Sequence, residues 1–365
     1  MQNKGMTLPL LNRLPGLGER LQPLSLCNLP TPLVEVAGPG SCPLLIKRDD
    51  LSADAYGGNK VRKLEFLLAD ALRQGSRSVL TFGFAGSNFA AATAWYARQQ
   101  GLDCVSLLLP QAPEPYVRSN LLLQQASGGK CVQRDTTLLL GIEAIRQMLA
   151  GRLSGGLGAG RWPYWIPAGG SSPVGVLGFV NAALELQLQL EAARLPAPTD
   201  FYLAMGSMGS VAGLAIGMAL AGMQTRIVAT RVVESRFAGE HKLRALLAKT
   251  LTWLRPLHAS LPDAEALMQR IEIRNDHFGA GYGIPSAGDR AAMAFLKDGG
   301  MPADPAYTAK AMCCLLEDLR GGRLANARPC FWLTCNGRSL QPLTRGADWR
   351  RLPAVFHGYF DEPAG

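Results

Sequence analysis

The stretch Gly57-Gly58-Asn59-Lys60-Val61-Arg62-Lys63-Leu64-Glu65 decides how the rest of the chain is read. It sets a lysine just after a flexible turn and at the start of a helical pattern, near the positive end of a helix and beside Arg62 and Lys63. Those charges favour a neutral amine at Lys60, the form that attacks an aldehyde. The same residues also fit a basic first turn after a Gly-Gly loop, and local spacing leaves both readings open.

Two further stretches lie downstream. Gly83-Phe84-Ala85-Gly86-Ser87-Asn88 follows the apolar run Ser78 to Phe82 and leads into an apolar helix. It presents backbone N–H groups and two short polar side chains to an anion, although Ser and Asn are also ordinary helix caps. Ala204-Met205-Gly206-Ser207-Met208-Gly209-Ser210-Val211-Ala212-Gly213 follows the strand-like Phe201-Tyr202-Leu203 and has the chemistry of a phosphate cradle. The Gly-x-Gly-x-x-Gly spacing of a dinucleotide site is absent.

Apolar strand-like runs alternate with amphipathic helix-like runs from Ser78 onward. Ser78 to Phe82 precedes Ser87 to Gln100, Cys104 to Leu109 precedes Tyr116 to Ala126, and Lys130 to Gln133 precedes Thr137 to Leu149. A second block begins near Tyr164 and includes Val174 to Ala193, Phe201 to Leu220 and Arg226 to Val233. The alternation predicts an α/β fold with parallel sheet and crossover helices. Leu153 to Arg161 is Gly-rich and reads as a hinge or surface loop. Ala238 to Glu272 reads as mostly helical with breaks at Pro256 and Pro262, and Ser286 to Lys297 and Ala306 to Arg320 as further helices. Phe331-Trp332-Leu333 reads as a late strand.

Of 365 residues, 48% are hydrophobic and 18% charged, which suits a globular enzyme and not a disordered chain. The net charge of +9 is scattered, with no basic arm and no basic-aromatic stripe, so no nucleic-acid role is expected. A basic balance suits anionic ligands, and it suits general solubility equally. The eight cysteines form no Cys-x-x-Cys pair and the four histidines do not cluster near them in sequence, so neither a zinc site nor a disulfide framework is expected. Reduced thiols in a cytoplasmic protein are the economical expectation. Met1 to Leu21 reads as a leader segment on the surface and not as a signal peptide. Phe201 to Thr225 is uncharged, with Gly209, Gly213 and Gly217 at four-residue spacing. A membrane helix is the alternative there, but the Gly206-Ser207 break favours a buried strand and helix whose small residues permit close backbone packing around a ligand.

Together these stretches resemble the pyridoxal-phosphate enzymes of the tryptophan-synthase-beta fold type, and most closely the branch of D-cysteine desulfhydrase and 1-aminocyclopropane-1-carboxylate deaminase. The resemblance runs from Leu29 to Thr334, with a further match at Leu352-Pro353-Ala354-Val355-Phe356. It includes Ile46-Lys47-Arg48-Asp49-Asp50-Leu51, Ile166-Pro167-Ala168-Gly169-Gly170-Ser171, Gly281-Tyr282-Gly283-Ile284-Pro285 and Asp304-Pro305-Ala306-Tyr307-Thr308-Ala309-Lys310. It implies two open, twisted, mostly parallel sheets with flanking helices. The expected domains are residues 58–161, smaller, and 1–57 with 162–365, larger and binding the cofactor, which is expected in the cleft between them. A homodimer acting on a small amino acid, with no membrane association, is also implied.

The resemblance makes Lys60 the lysine that carries pyridoxal 5'-phosphate. Asn59 and Asn88 match positions near the cofactor ring, Lys63 a phosphate contact, and Gly206, Ser207, Met208, Gly209 and Ser210 the phosphate cradle. Met208 stands where the family has glycine, which is tolerable only if its φ is negative and its side chain points away. Ser87 matches a substrate-carboxylate or proton-transfer position, Tyr282 and Tyr307 two tyrosines around the α-carbon and leaving group, and Thr334 the partner of the pyridine nitrogen. Cyclopropane-opening deaminases carry Glu directly after the second tyrosine. Thr308 stands there, which argues for β-elimination. D-cysteine is the first substrate expected, with cysteate, D-serine or a β-chloro amino acid behind it. The alternatives are the ring-opening deaminase and a cofactor-binding homologue without turnover. Departures from the branch are Gly86 for Gln, Leu333, Cys335 and Asn336 around Thr334, and an insertion at Gly337 to Arg351. They bear on the substrate more than on the cofactor.

Overall fold

Runs of apolar residues bounded by Gly or Pro fold as strands, and amphipathic runs as helices, over the residues described in the computed structural model, 8–153 and 162–361. The strands are β1 (Leu33–Ala37), β2 (Pro43–Arg48), β3 (Ser78–Phe84), β4 (Asp103–Leu109), β5 (Lys130–Gln133), β6 (Tyr164–Ile166), β7 (Asp200–Met205), β8 (Arg226–Arg231), β9 (Ile271–Arg274) and β10 (Pro329–Leu333). The helices are α1 (Pro9–Arg13), α2 (Pro15–Arg20), α3 (Asn59–Arg73), α4 (Asn88–Gln99), α5 (Pro115–Ala126), α6 (Thr137–Leu153), α7 (Pro173–Ala192), α8 (Gly209–Ala221), α9 (Glu240–Leu254), α10 (Ala264–Met268), α11 (Ala287–Asp298) and α12 (Thr308–Arg320). The Gly-rich stretch expected to form a hinge lies outside the described residues after Leu153.

The chain forms two compact units, one taking the chain up to Glu65 with Ser171–Arg338, the other Phe66–Gly170 with the segment from Ser339 onward. The larger unit carries a sheet of order β1-β2-β10-β7-β8-β9, parallel throughout except for β1, which runs antiparallel to β2. β7 and β10 are buried along their whole lengths, as central parallel strands are. β10 is last in the chain yet lies between β2 and β7. The loops leaving the carboxyl ends of β7 and β10 are therefore neighbours, the position where open α/β sheets bind ligands. The smaller unit carries a parallel sheet of order β5-β4-β3-β6.

Four sequence expectations differ from the structure. The unit boundaries are one. The closing segment was assigned to the larger domain, but Leu352, Phe356 and Tyr359 are buried in one cluster with Ala85, Leu108, Val117 and Leu121 of the smaller unit. Arg118 Nε also donates to the Tyr359 carbonyl at 2.7 Å. An apolar run announces that it will be buried, not in which core. The N-terminal segment is the second. Leu10, Leu14, Leu17 and Leu21 are at most 3% exposed, and Leu10 N–H donates to Asn181 Oδ1 of α7 at 3.0 Å, so the segment from Leu8 onward is part of the core and not a surface leader. Third, β9 begins inside the stretch read as helical to Glu272, because its four residues are too few to interrupt the preceding helical period.

The fourth concerns the glycines of α8. A Cβ on Gly213 would lie 2.4 Å from Phe179 Cβ and one on Gly217 would lie 2.6 Å from the Val180 carbonyl. These glycines let α8 cross α7 at backbone contact. They serve helix packing, and only Gly209, at the head of the row, serves the cradle. Phe201 to Thr225 thus folds as the buried strand β7 followed by α8. Among the described residues, α7 is the helix long and apolar enough to cross a membrane, and 72% of that apolar window is buried inside the molecule.

Candidate active site

The Gly57-Gly58 turn docks Lys60 onto the sheet. A Cβ on Gly57 would sit 2.4 Å from the Asp50 carbonyl oxygen, and Gly58 takes a φ of +89° with the Thr334 and Cys335 carbonyls 2.9 Å from where a Cβ would be. Only glycine fits both positions. Gly58 N–H donates to the Asp49 carbonyl at 2.8 Å and Asn59 N–H to the Thr334 carbonyl at 3.0 Å, so the start of α3 is tied to the ends of β2 and β10. Asn336, one of the departures from the family pattern, strengthens this tie. Its Oδ1 accepts from Gly57 N–H at 2.8 Å and from Arg338 N–H at 3.0 Å.

Lys60 Nζ donates to Asn59 Oδ1 at 2.7 Å, and Asn59 Nδ2 donates to Ser210 Oγ at 3.1 Å. One asparagine thereby links the amine to the Gly206–Ser210 loop. Burial lowers the Lys60 amine to about 8, with Asp304 and Cys335 acting against it. The neutral form is therefore accessible near neutral pH, as expected, but the cause differs from the expected one. The Arg62 guanidinium is bound to Asp49 at 2.7 Å and to Glu185 at 2.9 Å, and its charge is neutralised there. Lys63 is 2% exposed, and burial followed by repulsion from Lys60 pushes its amine well below the ordinary lysine range.

The cradle is built from the carboxyl end of β7 and the start of α8. Ser171 Oγ donates to Ser207 Oγ at 2.9 Å and accepts from Gly209 N–H at 3.1 Å. A Cβ on Gly209 would lie 2.7 Å from Ser171 Oγ and 2.9 Å from Lys63 Nζ, and one on Gly206 would lie 2.9 Å from Tyr307 Cε1. Lys63 thus reaches the cradle from α3. Met208 contradicts the requirement set on it. Its φ is +68°, in the left-handed region, at the N-cap of α8. The entry into α8 demands that conformation whichever residue is present, and for a non-glycine it costs about 1–2 kcal/mol. A phosphate fits these residues. Helix N–H groups, Ser207, Ser210 and Ser171 offer donors, the glycines leave the space, and a dianion would offset the charge that burial disfavours on Lys63.

Tyr307 lies at the N-cap of α12 and Tyr282 in the Gly-rich loop before α11. Their hydroxyls are 2.9 Å apart and their rings meet edge to face at 5.8 Å. Lys60 Nζ lies 5.3 Å from the Tyr307 ring centre. Two residues without an assigned role hold this pair. Asp304 accepts from the N–H groups of Ala306, Tyr307 and Thr308 at 2.7–3.2 Å and from Thr308 Oγ1 at 2.6 Å. Lys310 Nζ donates to the carbonyls of Phe278 and Ile284 at 2.9 and 3.0 Å, closing the loop that carries Tyr282. Asp304 was detectable as an Asp preceding a helix start. Lys310 was not, since its bonds are long-range. Ser171 was signalled by Gly169-Gly170 after a strand. Thr334 is buried directly after β10.

In the smaller unit, Ser87 caps α4, its Oγ accepting from Ala90 N–H at 3.2 Å. Asn88 Oδ1 accepts from Asn120 Nδ2 at 2.7 Å, which turns the Asn88 amide nitrogen away from Asn120. Asn120 also donates to the Gly86 carbonyl at 2.9 Å. The absence of glutamine at position 86 has a steric cause. A Cβ there would lie 2.7 Å from Val117 Cγ2 and 2.9 Å from Tyr116 Cε2. A carboxamide still stands at this place, because Gln111 Oε1 accepts from Gly86 N–H at 2.8 Å while Gln111 Nε2 donates to Tyr116 Oη at 2.8 Å.

Comparison with known proteins agrees with this chemistry. The family described as pyridoxal-phosphate dependent enzyme matches residues 24–334. A D-cysteine desulfhydrase of Salmonella paratyphi A is 34% identical over 328 residues, covering 87% of this chain and 94% of that protein. That of Salmonella choleraesuis is 35% identical over 301 residues, covering 80% and 86%. A solved structure of an ACC deaminase homologue superposes with a TM-score of 0.74 at 27% identity, over 93% of this chain and 100% of that one. A pyridoxal 5'-phosphate-dependent aspartate racemase, 14% identical with a TM-score of 0.57 over 97% and 99% of the two chains, shares the fold.

Proposed function

The chain belongs to the pyridoxal-phosphate-dependent enzyme family, and on that premise we propose that it catalyses the α,β-elimination of D-cysteine. D-cysteine and water would give pyruvate, ammonia and hydrogen sulfide, with the Cα–H and Cβ–S bonds broken. Its cofactor is pyridoxal 5'-phosphate. When bound, the cofactor supplies an aldehyde for the amine and an electron-withdrawing ring for the α-carbon.

The chain's own residues divide the remaining work. Lys60, whose amine burial lowers to about 8, holds the cofactor and then takes the α-proton at Nζ. The hydroxyl pair of Tyr282 and Tyr307, 2.9 Å apart, hands a proton from Oη to the departing sulfur and shares the one that remains. Lys63, Ser171, Ser207, Gly209 and Ser210 hold the phosphate. Asn59 orients Lys60, Asn88 orients the cofactor ring, and Ser87 takes the substrate carboxylate. Thr334 offers the ring nitrogen a neutral partner, which suffices where thiolate is a good leaving group.

The observation that carries elimination over ring opening is position 308. Thr308 is 1% exposed and its hydroxyl donates to Asp304 at 2.6 Å, so it serves the start of α12 and puts no carboxylate where the deaminases have one. The test is a panel of D- and L-cysteine, D-serine, β-chloroalanine and 1-aminocyclopropane-1-carboxylate, assayed for sulfide, ketoacid and ammonia. D-cysteine should give the highest kcat/KM. Faster ketoacid release from the cyclopropane substrate overturns the assignment, and an absorbance band that no amino acid shifts makes the protein a non-catalytic binder.

A cytoplasmic location and a homodimer are part of the same proposal. All eight cysteines are free thiols, which suits a reducing compartment. Leu138, Ile142, Ile145 and Leu149 form an exposed apolar stripe on α6, a surface for a second copy to cover. No nucleic-acid or membrane partner is proposed.

A further inference from the structure

We propose that His277, Cys313 and Glu317 form a binding site for one zinc-class divalent cation, separate from the cofactor residues. Sequence spacing gives no hint of it, since Cys313 is far from His277 in the chain. In the fold the ligating atoms of all three lie within 4.8 Å of one another. Cys313 and Glu317 stand one turn apart on α12 and face the same way. His277 comes from the loop after β9. Cys313 Sγ is 3.2 Å from Glu317 Oε1, and His277 Nε2 is 3.8 Å from Glu317 Oε2. With metal–sulfur, –nitrogen and –oxygen bonds of about 2.3, 2.0 and 2.1 Å, the edges of a tetrahedron are about 3.4–3.6 Å. The two separations to Glu317 straddle that range and the His277–Cys313 one is at most 4.8 Å, so side-chain rotations would close the site.

The surroundings suit a cation. His277 and Cys313 are buried while the Glu317 side chain is 55% exposed, which leaves an open side for entry and for a water as fourth ligand. Gly288 forms the wall beside Cys313. A Cβ there would lie 2.7 Å from Cys313 Sγ and 3.4 Å from Glu317 Oε1, so its missing side chain is what keeps the space. Arg274 Nη2 lies 3.4 Å from His277 Nε2, and since it can only donate, a metal bound at Nε2 would displace that contact. The Arg274 charge is offset by Asp276 at 2.6 Å and Asp318 at 2.8 Å. His277 Nε2 is also 3.5 Å from Asp276 Oδ2, too long for a hydrogen bond and within reach of a second carboxylate on the same ion. A mixed nitrogen, sulfur and oxygen set selects Zn²⁺ or Co²⁺ over Mg²⁺ or Ca²⁺. Binding forms the metal–sulfur bond and releases the Cys313 proton to solvent.

The placement gives the ion a task. His277 precedes Tyr282 in one loop, and α12 begins directly after Tyr307. A cation joining the two elements pins the loop of one tyrosine to the helix of the other. Holoenzyme stripped with chelator and titrated with Co²⁺ tests this, read as the difference spectrum against metal-free holoenzyme so that the cofactor absorbance cancels. One equivalent should bind with a thiolate-to-cobalt charge-transfer band, Zn²⁺ should displace it, and the melting temperature should rise. Cys313→Ser should abolish the charge-transfer band and the melting shift, His277→Gln and Glu317→Gln should weaken binding at least about tenfold, and Cys314→Ser should change neither. Glu317 is exposed, so its variant should fold even if the others do not. Absence of stoichiometric uptake, or a charge-transfer band that survives in Cys313→Ser, overturns the site and leaves the three residues a cluster of side chains in contact with one another. Neither result alters the cofactor assignment, which rests on Lys60.

Discussion

Arg62 and Lys63 are adjacent on α3, both at most 2% exposed, and have opposite electrostatic fates. Burial works against both charges. For Arg62 it is outweighed, because Asp49 and Glu185 hold the guanidinium well above its ordinary range, while Thr31 Oγ1 accepts from it at 2.9 Å. Trp332 Nε1 donates to the same Asp49 at 2.8 Å and Lys47 bonds to the same Glu185 at 2.5 Å, which completes a closed network under the helix. For Lys63 the second influence is Lys60, which adds to burial, and the amine is pushed well down. Arg62 is therefore part of a finished structural base, while Lys63 Nζ stands 2.9 Å from where a Cβ on Gly209 would be, at the start of α8. The lesson is that two buried neighbours of like charge are driven in opposite directions by what stands beside each, carboxylates for Arg62 and a second amine for Lys63.

The largest expected effect is on the finished side. Glu185→Gln leaves Lys47 and Arg62 without their shared carboxylate and should lower stability by about 3–5 kcal/mol, read as a fall in denaturant midpoint. A change below about 1 kcal/mol would mean that the network contributes little. Glu65, farther along α3, sharpens the contrast. Burial raises its carboxyl from 4.5 to about 7, despite acceptor bonds from the Leu26 and Cys27 N–H groups. The folded state then keeps a proton that the unfolded chain has released. Stability should fall as pH rises from about 4.5 to about 7, by about 3 kcal/mol in total, and be flat above that. Glu65→Gln keeps the backbone acceptor and should erase the slope; an unchanged slope assigns it elsewhere.

At its neighbour, Lys63→Met should weaken cofactor affinity about 10–150-fold, the worth of one charged hydrogen bond, and should cost the apoprotein less than Glu185→Gln does. Destabilisation of the apoprotein comparable to Glu185→Gln would erase the distinction between the two neighbours. The smallest effect is a profile and not a loss. The rate at which apoprotein attaches the cofactor covalently should rise about tenfold per pH unit below the Lys60 value of about 8 and then level. A rate still climbing at the ordinary lysine value would show that burial does not lower this amine.

Legibility followed the range of the interactions. Lys60, the Gly206–Ser210 loop, the tyrosines and Thr334 were singled out through the resemblance, because local spacing leaves a basic helix turn, an ordinary cap or a packed aromatic as an equal reading of each. Ser171, Asp304, Lys310 and Asn120 act through bonds to other elements or turns. The first two left a trace in adjacent glycines or at a helix start, while Lys310 and Asn120 left none. The Met208 requirement failed because the conformation is imposed by the strand-to-helix turn and not by the residue. Gly86 read as a missing contact, but the structure shows Tyr116, Val117 and the Gln111 carboxamide in its place.

The sequence by itself determined the α/β alternation and the family, since these depend on periodicity and on short runs that tolerate few residues. Only the tertiary structure decided which core receives the first and last segments, that burial and not Arg62 lowers the Lys60 amine, and that His277 meets Cys313 and Glu317. Those outcomes depend on which distant groups share a low-dielectric space, and a one-dimensional pattern carries no distances.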